Sequence, residues 1–204
     1  MKWTSVISAI ILSVITLSAQ DRKGSLPAFT FGAEWGYVAT FQCGYHNNFF
    51  APEGYRVDDR GNVFGLYNNS EAYIHVGYNL NTVWNLSLYI GYAGMADTQP
   101  IIPVSVRGTR FFGSDHLSDR WFCFADLGSG VGLNRHPQEI LSGRLGGGYR
   151  LSMSRLTKLD LIASLRMTYA HNEVDYKGTP IAMGSINRNN VYASALSLGI
   201  SITF

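Results

Sequence analysis

The chain has 204 residues, of which only 15% are charged although 46% are hydrophobic, whereas soluble domains usually carry about 25% charged residues. Its 16 Lys and Arg against 14 Asp and Glu leave a formal net charge of +2. This excludes the dense positive charge that a nucleic-acid partner requires. High apolar content with a small net charge also excludes a disordered chain.

The N-terminal segment has the pattern of a secretory signal. Lys2 precedes an apolar run over residues 6–17, and the small residues Ser18 and Ala19 follow it. The run is shorter than the ~20 residues of a membrane-spanning helix. We therefore predict a cleaved signal peptide over residues 1–19 and one exported domain over residues 20–204.

The rest of the chain alternates between apolar and polar residues with a period of two, which is typical of β-strands. In the first strand Trp35 and Tyr37 fall on one face, and Glu34 and Gly36 fall on the other. The pattern predicts eight strands over residues 28–45, 71–80, 83–93, 102–112, 120–131, 143–154, 158–170 and 191–204.

The predicted connections differ in length in a regular way. The second, fourth and sixth are short, whereas the others are longer and rich in Asn, Asp, Pro and Gly; the first covers residues 44–70. In an antiparallel up-and-down barrel, alternate connections lie at the same rim. The pattern therefore indicates short periplasmic turns at one rim and longer extracellular loops at the other, as in outer-membrane barrels.

Alternation alone fits either a membrane barrel or a soluble, lipocalin-like carrier of an apolar ligand. The polar face favours the membrane barrel, because it consists of Gly, Ser, Thr, Asn and Arg and lacks Lys until a strand end. Aromatic residues near strand ends also suit the two membrane interfaces. Those at the tight rim are Phe29, Phe31, Tyr78, Trp84, Trp121 and Phe204, and those at the loop rim are Tyr45, Tyr92, Tyr169 and Tyr192.

The last eight residues, SLGISITF, resemble the C-terminal recognition signal of bacterial outer-membrane barrels. Residues 31–37 and the hairpin over residues 102–132 are also similar to small Bacteroidetes-type barrels. The resemblance implies an eight-stranded OmpA/OmpX-type barrel in the outer membrane, surrounded by lipid and lipopolysaccharide. It further implies that the barrel-assembly machinery reads the final strand through Ser197, Gly199, Ile202 and Phe204.

The inner face of the predicted barrel carries charged residues of both signs. They are Glu34, Arg107, Asp126, Arg144, Arg150, Asp160 and Arg166. A symmetric hairpin would place Arg107 opposite Asp126, and such cross-strand pairs are favourable. We expect a plugged lumen with balanced charge, because an eight-stranded barrel is filled by side chains; the alternative is a gate or proton path.

The histidines provide the candidates for an enzyme, namely a lipid A-modifying one, which needs a base within reach of a nucleophile. His171 and Glu173 lie at the loop rim, and His116 lies near Ser118 and Asp119; the remaining histidines are His46, His75 and His136. None of these spacings is convincing, so no catalytic, cofactor or metal site is predicted.

The first long loop, over residues 44–70, is unusually aromatic for an exposed segment. Its rings include Tyr45, Phe49, Phe50, Tyr55, Phe64 and Tyr67. They could form a surface that binds a partner, or they could belong to strands that extend beyond the membrane. The sequence as a whole predicts a structural or surface-interaction (adhesin-like) barrel without catalysis.

Overall fold

The computed structural model describes residues 26–95, 99–133, 139–171 and 174–204, so the predicted signal peptide lies outside the described residues. The strands are β1 (Phe29–Phe50), β2 (Arg56–Asn79), β3 (Trp84–Met95), β4 (Gln99–Phe111), β5 (Arg120–Gly132), β6 (Glu139–Ser152), β7 (Lys158–His171), β8 (Asp175–Tyr176), β9 (Thr179–Pro180) and β10 (Ile186–Thr203). A 3-10 turn over Met183–Ser185 precedes β10. In these ranges no helix has the length and hydropathy needed to cross a membrane.

Eight of the strands form a closed barrel in the order β1-β10-β7-β6-β5-β4-β3-β2, with every neighbouring pair antiparallel. The remaining two, β8 and β9, form a separate small hairpin in the last extracellular loop. The predicted eight-stranded up-and-down barrel is confirmed. Closure matters in a bilayer, since an open strand edge would leave backbone polar groups unpaired in hydrocarbon.

The barrel is apolar on its outer surface and charged inside. Trp35, Trp121 and Leu127 are 64%, 65% and 71% exposed, whereas Glu34 on the inner face of β1 is 2% exposed. In water this arrangement would be unfavourable on both faces, because apolar side chains would be hydrated and charges desolvated. In a lipid environment the apolar side chains of the outer surface are no longer hydrated, so their exposure becomes favourable. The outer face is therefore the membrane-facing one.

Most of the predicted aromatic girdle is on this outer face. The exposed members are Phe29, Tyr78, Trp84, Trp121 and Phe204 at the periplasmic rim, and Tyr92, Tyr169 and Tyr192 at the extracellular rim. Inside the barrel, glycines make room for large rings: a Cβ on Gly146 would lie 2.7 Å from the Phe124 ring, and one on Gly148 would lie 2.6 Å from the Phe122 ring.

The prediction of a long loop over residues 44–70 is wrong. β1 continues to Phe50 and β2 begins at Arg56, so the connection is only the turn over residues 51–55. Gly54 has a φ of +88°, and its N–H donates to the carbonyl of Ala51 at 2.9 Å. Asn, Asp and Gly in the flanking segments resemble loop composition, but the antiparallel ladder between β1 and β2 satisfies their backbone groups and holds them as strands.

The placement of Tyr45 in the outer girdle is also wrong. The pairing of β1 is irregular between Thr40 and Gln42, against both of its neighbours. The extra residue reverses which positions face inward. Cys43 therefore packs against the interior cluster, and Tyr45, two residues further on, shares its face. Cys43 and Cys123 are free thiols.

Candidate functional site

Six buried charged residues form a belt across the middle of the lumen. Three acids and three arginines make up this central belt, which consists of Glu34, Glu71, Asp126, Arg107, Arg144 and Arg166. They come from strands around the barrel, because the inward positions of β1, β2, β4, β5, β6 and β7 converge at this level. The numbers of positive and negative charges are equal, as a desolvated interior requires.

Arg107 on β4 contacts two acids of the central belt. Its Nη1 lies 2.7 Å from Glu34 Oε2, and its Nη2 lies 3.0 Å from Asp126 Oδ2. Asp126 is its direct cross-strand partner in the β4–β5 register. The guanidinium also stacks between Tyr89 and Phe124, with 3.9 and 4.1 Å from Cζ to the ring centroids. Both the charge and the planar faces of Arg107 are thus satisfied without water.

Arg144 on β6 joins the third acid, Glu71, to Glu34 and Asp126. Its Nη2 donates to Glu34 Oε1 at 2.6 Å, and its Nη1 lies 3.5 Å from Glu71 Oε2. Its Nε is 3.6 Å from Asp126 Oδ2. One guanidinium therefore contacts all three acids of the central belt and connects β6 with β1, β2 and β5.

Glu71 is the belt member that sequence reasoning missed. It is 1% exposed, and its carboxylate accepts hydrogen bonds from Arg166 and from the Ser197 hydroxyl. The Tyr73 hydroxyl donates to it at 3.3 Å. Because residues 44–70 read as a loop, Glu71 fell on a strand boundary. Its spacing of two and four residues from the inward Tyr73 and His75 was the signal that could have found it.

A second charged group lies towards the periplasmic rim. Arg150 and Asp160 form a bidentate pair, with Nε to Oδ1 and Nη2 to Oδ2 both 2.7 Å. Arg120 Nη1 donates to the Thr82 carbonyl at 2.6 Å. The guanidiniums of Arg120 and Arg150 lie 4.0 and 4.3 Å from the centroid of the Phe111 ring. The structure therefore separates the predicted lumen charges into two layers.

Apolar layers enclose the central belt. On the extracellular side the inward residues form the cluster Tyr73, Tyr89, Ala93, Met95, Ile101, Ile140, Ala170 and Ala193, and on the periplasmic side they form the cluster Phe111, Phe122, Phe124 and Ile162. A cavity of about 20 Å³ remains beside His75 and Arg107. That volume holds about one water molecule.

The histidines are dispersed. His75 stacks on Tyr89 inside the barrel at 4.6 Å between ring centroids, His46 contacts Asp58 at 2.7 Å, and His171 Nδ1 lies 3.1 Å from Asn189 Oδ1. None of these contacts joins a histidine to a hydroxyl nucleophile. His136 and Glu173 lie outside the described residues.

Ser118 and Asp119, which lie near His116 in the sequence and are its candidate catalytic partners there, instead make hydrogen bonds that hold the turn. The Ser118 hydroxyl donates to the Asp115 carbonyl at 3.1 Å, and the carboxylate of Asp119 accepts the Ser152 N–H at 2.7 Å. These bonds stabilise the β4–β5 turn and join it to the end of β6. In the described part of the chain, no cluster of three or more His, Cys, Asp or Glu residues could hold a metal ion.

The four residues of the predicted assembly signal lie on both faces of β10. Ser197 points inward to Glu71, whereas Ile202 is exposed on the lipid face. A Cβ on Gly199 would lie 2.8 Å from the carbonyl oxygen of Trp35, so this position requires glycine or a shift of β1. Phe204 stacks on Phe31 at 5.6 Å between centroids.

At the extracellular end, the β8–β9 hairpin packs against the tip of the β1–β2 hairpin. The Tyr176 ring contacts Phe49 edge-on at 5.6 Å, and the hydroxyls of Tyr55 and Tyr176 are hydrogen-bonded. Lys177 Nζ donates to Glu53 Oε1 at 2.9 Å. We call the β1–β2 segment beyond Gly44, together with β8 and β9, the projecting unit.

Hydrogen bonds shift the acid pKa values of the projecting unit. The ammonium of Lys177 donates to Glu53 and holds the pKa of that carboxyl below its usual value. The hydrogen bond from His46 lowers the pKa of Asp58 in the same way. Both acids are therefore charged at neutral pH and contribute to the contacts of the tip.

Comparison with known proteins shows the fold. No family model and no curated protein matches the chain. The outer membrane protein OprG from Pseudomonas aeruginosa is similar over 87% of this chain and 96% of its own, with 9% identity and a TM-score of 0.51. Neisserial surface protein A is similar over 86% of this chain and 97% of its own, with 14% identity and a TM-score of 0.48. The outer membrane protease OmpT from Escherichia coli is similar over 92% of this chain and 100% of its own, with 8% identity and a TM-score of 0.36.

Three features agree with the similarity in fold to OprG. They are the closed ring of eight antiparallel strands, the apolar exterior with aromatic rims, and the buried charges. The longest connection, between β7 and β10, contains β8, β9 and the 3-10 turn, whereas the connections at the opposite rim are residues 80–83, 112–119 and 153–157. The chain has the fold of the eight-stranded outer-membrane β-barrels.

Proposed function

We propose that this barrel is a non-catalytic surface-interaction protein, adhesin-like in its role, with a plugged lumen and a projecting unit that contacts the partner. The single observation that supports this most is the length of the first hairpin. β1 and β2 have 22 and 24 residues, whereas β3 has 12, and about 9–11 residues suffice to span a membrane.

The projecting unit is built to stand away from the membrane. Gly44 pairs with Tyr192 of the outer girdle, and six further residues of β1 lie beyond it. At about 3.3 Å per residue, these extend roughly 20 Å along the strand. Packing of Tyr176 on Phe49 and the Glu53–Lys177 pair order the tip. An ordered tip loses less conformational entropy on binding than a flexible loop does.

The apolar and aromatic residues exposed in the projecting unit supply the contact surface. Phe50 and Tyr55 are 49% and 47% exposed, and Met183 beside β9 is 88% exposed. Exposure of apolar side chains to water is energetically unfavourable, and aromatic residues are enriched at binding interfaces. They are accompanied by charges of both signs, which suits recognition of a protein or glycan partner on another cell.

An adhesion assay with a shortened hairpin tests the proposal. Removing residues 45–50 and 56–61 deletes equal lengths from both strands, joins Gly44 to Ala51 and keeps the Gly44–Asn62 pair. Non-adherent bacteria that produce the full chain should bind cultured epithelial cells severalfold more than vector controls, and the shortened variant should not. Equal binding of the full and shortened barrels, with both folded by heat-modifiable migration, would overturn the proposal.

The absence of catalysis is tested separately. The acylation state of lipid A, measured in cells with and without the protein, should be identical. A change in acylation that is lost on substitution of His171 would favour the lipid A-modifying alternative instead.

A further inference from the structure

A group of cations lies inside the barrel at its periplasmic mouth. Arg120 begins β5 and Lys158 begins β7, and the two residues are 6% and 8% exposed. Between them on β6 lies Arg150, which is the direct cross-strand partner of Arg120. We call Arg120, Arg150 and Lys158 the periplasmic cation group. The buried rings of Phe122 and Phe124 separate it from the central belt along β5.

The buried charge at this level is unbalanced towards positive. Asp160 is the buried acid of the layer, and Arg150 occupies both of its oxygens with contacts of 2.7 Å. Buried residues on β1, β3 and β10 at the same level are uncharged; they are Thr30, Asn85 and Thr203. Three cations therefore face one buried carboxylate.

The acids of the neighbouring β4–β5 turn do not neutralise this charge. Asp115 accepts the Leu117 N–H at 2.9 Å, and Asp119 accepts the Ser152 N–H at 2.7 Å. Both acids are exposed, so solvent and salt screen their attraction for the cations. Within the described ranges, neither acid forms an ion pair with the periplasmic cation group.

Two members of the group keep donors that no protein acceptor uses. Arg120 Nη1 donates to the Thr82 carbonyl at 2.6 Å, but its Nε is buried and has no hydrogen-bond partner. Lys158 Nζ donates to the Ser152 hydroxyl and to the Ser154 carbonyl, which leaves one of the three donors of an ammonium. Because a buried donor without an acceptor is costly, an anion that accepted from both residues would stabilise this end of the barrel.

The fold holds the two guanidiniums in place although they repel each other. Like charges directly opposite in a sheet are destabilising, as Arg120 and Arg150 are. The ring of Phe111 contacts both, with 4.0 and 4.3 Å from Cζ to the ring centroid. Cation–π contacts of this kind orient a guanidinium, but a neutral ring supplies no negative charge. The group is therefore preorganised for an anion and not neutralised by the protein.

We propose that the periplasmic cation group binds a phosphate-class oxyanion at the periplasmic mouth of the lumen. Guanidinium and ammonium groups are the side chains that pair with phosphate oxygens. Strands β5 and β7 are separated by β6 alone, so their backbones lie about 10 Å apart, and the long side chains of Arg120 and Lys158 reach a shared anion between them. Inorganic phosphate and the phosphoryl headgroup of an inner-leaflet lipid present the same oxygens to this site.

Phosphate binding by the full folded barrel in a maltoside detergent, which contains no phosphate, tests the proposal. Equilibrium dialysis against labelled inorganic phosphate should show saturable binding to the wild type. Arg120→Gln should weaken binding about tenfold, because it removes a charge-assisted hydrogen bond. The matched control is Arg110→Gln, since Arg110 is an exposed arginine at the same rim, 5.7 Å from the Trp84 ring centroid on the outer surface. It should bind phosphate as the wild type does.

Three results would overturn the proposal: no saturable binding by the wild type, unchanged affinity in Arg120→Gln, or an equal loss in Arg110→Gln. If Arg120→Gln did not fold, Lys158→Gln would replace it, because that variant retains the Arg120–Thr82 bond. A short-chain phosphatidylglycerol distinguishes the two sources of the oxyanion. Its displacement of labelled phosphate from the wild type would assign the site to a lipid headgroup, and the absence of displacement would assign it to inorganic phosphate.

Discussion

Glu34 on β1 and Arg107 on β4 form a 2.7 Å ion pair across the lumen, although 73 residues separate them in the chain. Both side chains are almost completely buried. Because the two strands are not neighbours in the ring, the pair acts as a cross-brace that only a closed barrel can form. Its desolvation is costly by itself, and the additional contacts of Arg107 with Asp126 and Tyr89 offset that cost.

Removing one acid of the central belt should destabilise the folded barrel. Asp126→Ala leaves Arg107 and Arg144 with one acid contact fewer in a buried site. Breaking a buried charge pair in this way typically costs about 3–5 kcal/mol. We expect a lower midpoint of unfolding by urea in detergent and a lower temperature for the heat-modifiable shift.

The control for this change is Lys177→Ala, which removes an exposed ion pair with Glu53. It should leave the unfolding midpoint of the barrel unchanged, because solvent and salt screen such pairs. An unchanged midpoint for Asp126→Ala would show that the belt charges do not stabilise the fold.

Glu71 and Arg166 should behave as a coupled pair. Their side chains are in direct contact, and Glu71 is also bound by Ser197. Glu71→Gln alone removes the acid that pairs with Arg166. Arg166→Met alone leaves Glu71 with its weaker 3.5 Å ion pair to Arg144 and its hydrogen bond from Ser197. The double variant should lose about 0.5–3 kcal/mol less than the sum of the single variants. Additive losses in a urea-unfolding cycle would contradict coupling.

The sequence predicted the pairing of Arg107 with Asp126 and missed Glu71, and the difference has a physical cause. Hairpin symmetry determines the first pair, since a short turn fixes the β4–β5 register. The assignment of Glu71 to the inner face depends on where β2 begins. Residues just before it, such as Asn68 and Asn69, resemble a loop in composition. Only the long-range ladder with β1 shows that they belong to a strand.

The inward direction of Cys43 also could not be predicted from alternation. A single irregularity at Thr40 to Gln42 reverses the faces of all later residues in β1, and no local residue type marks it. By contrast, the outward direction of Trp35 and the inward direction of Glu34 follow from the period-two pattern. Sequence periodicity is therefore reliable up to the first register shift of a strand.

The purified barrel should not conduct ions across a planar bilayer. A cavity beside Arg107 and His75 holds about one water, and Met95 and Ile101 are buried in the lumen on the extracellular side. We expect no stable conductance steps, with a wide porin as the positive control in the same bilayer. Reproducible single-channel steps from the folded protein would show that the lumen opens.

The tip of the projecting unit should loosen in acid. Hydrogen bonds from Lys177 and His46 lower the pKa values of Glu53 and Asp58 below 4.5 and 3.8. A lowered acid pKa stabilises the folded tip above the usual pKa, and that stability is lost as the pH falls through the lowered value. A spin label at Met183, in a background lacking both cysteines, should become more mobile between about pH 6 and pH 3.

Lys177→Met is the control for this pH dependence. It removes the partner of Glu53, so the label should be more mobile at pH 6 and change less on acidification. A label mobility that depends on pH equally in both proteins would exclude the Glu53–Lys177 pair as the cause.

The C-terminal aromatic residue should matter more for assembly than for stability. Phe204 closes the β1–β10 seam through backbone bonds to Phe31, at 2.8 and 3.1 Å, which Phe204→Ala retains. Ile200→Ala is the matched control, because Ile200 and Phe204 are 44% and 42% exposed on the same strand end. If the assembly machinery reads Phe204, its substitution should reduce the amount of barrel in the outer membrane severalfold, whereas Ile200→Ala should not. Both variants refolded in detergent should show the same heat-modifiable migration, since neither loses a backbone bond. An equal reduction for the two variants in cells would instead attribute the effect to lost apolar contact with lipid.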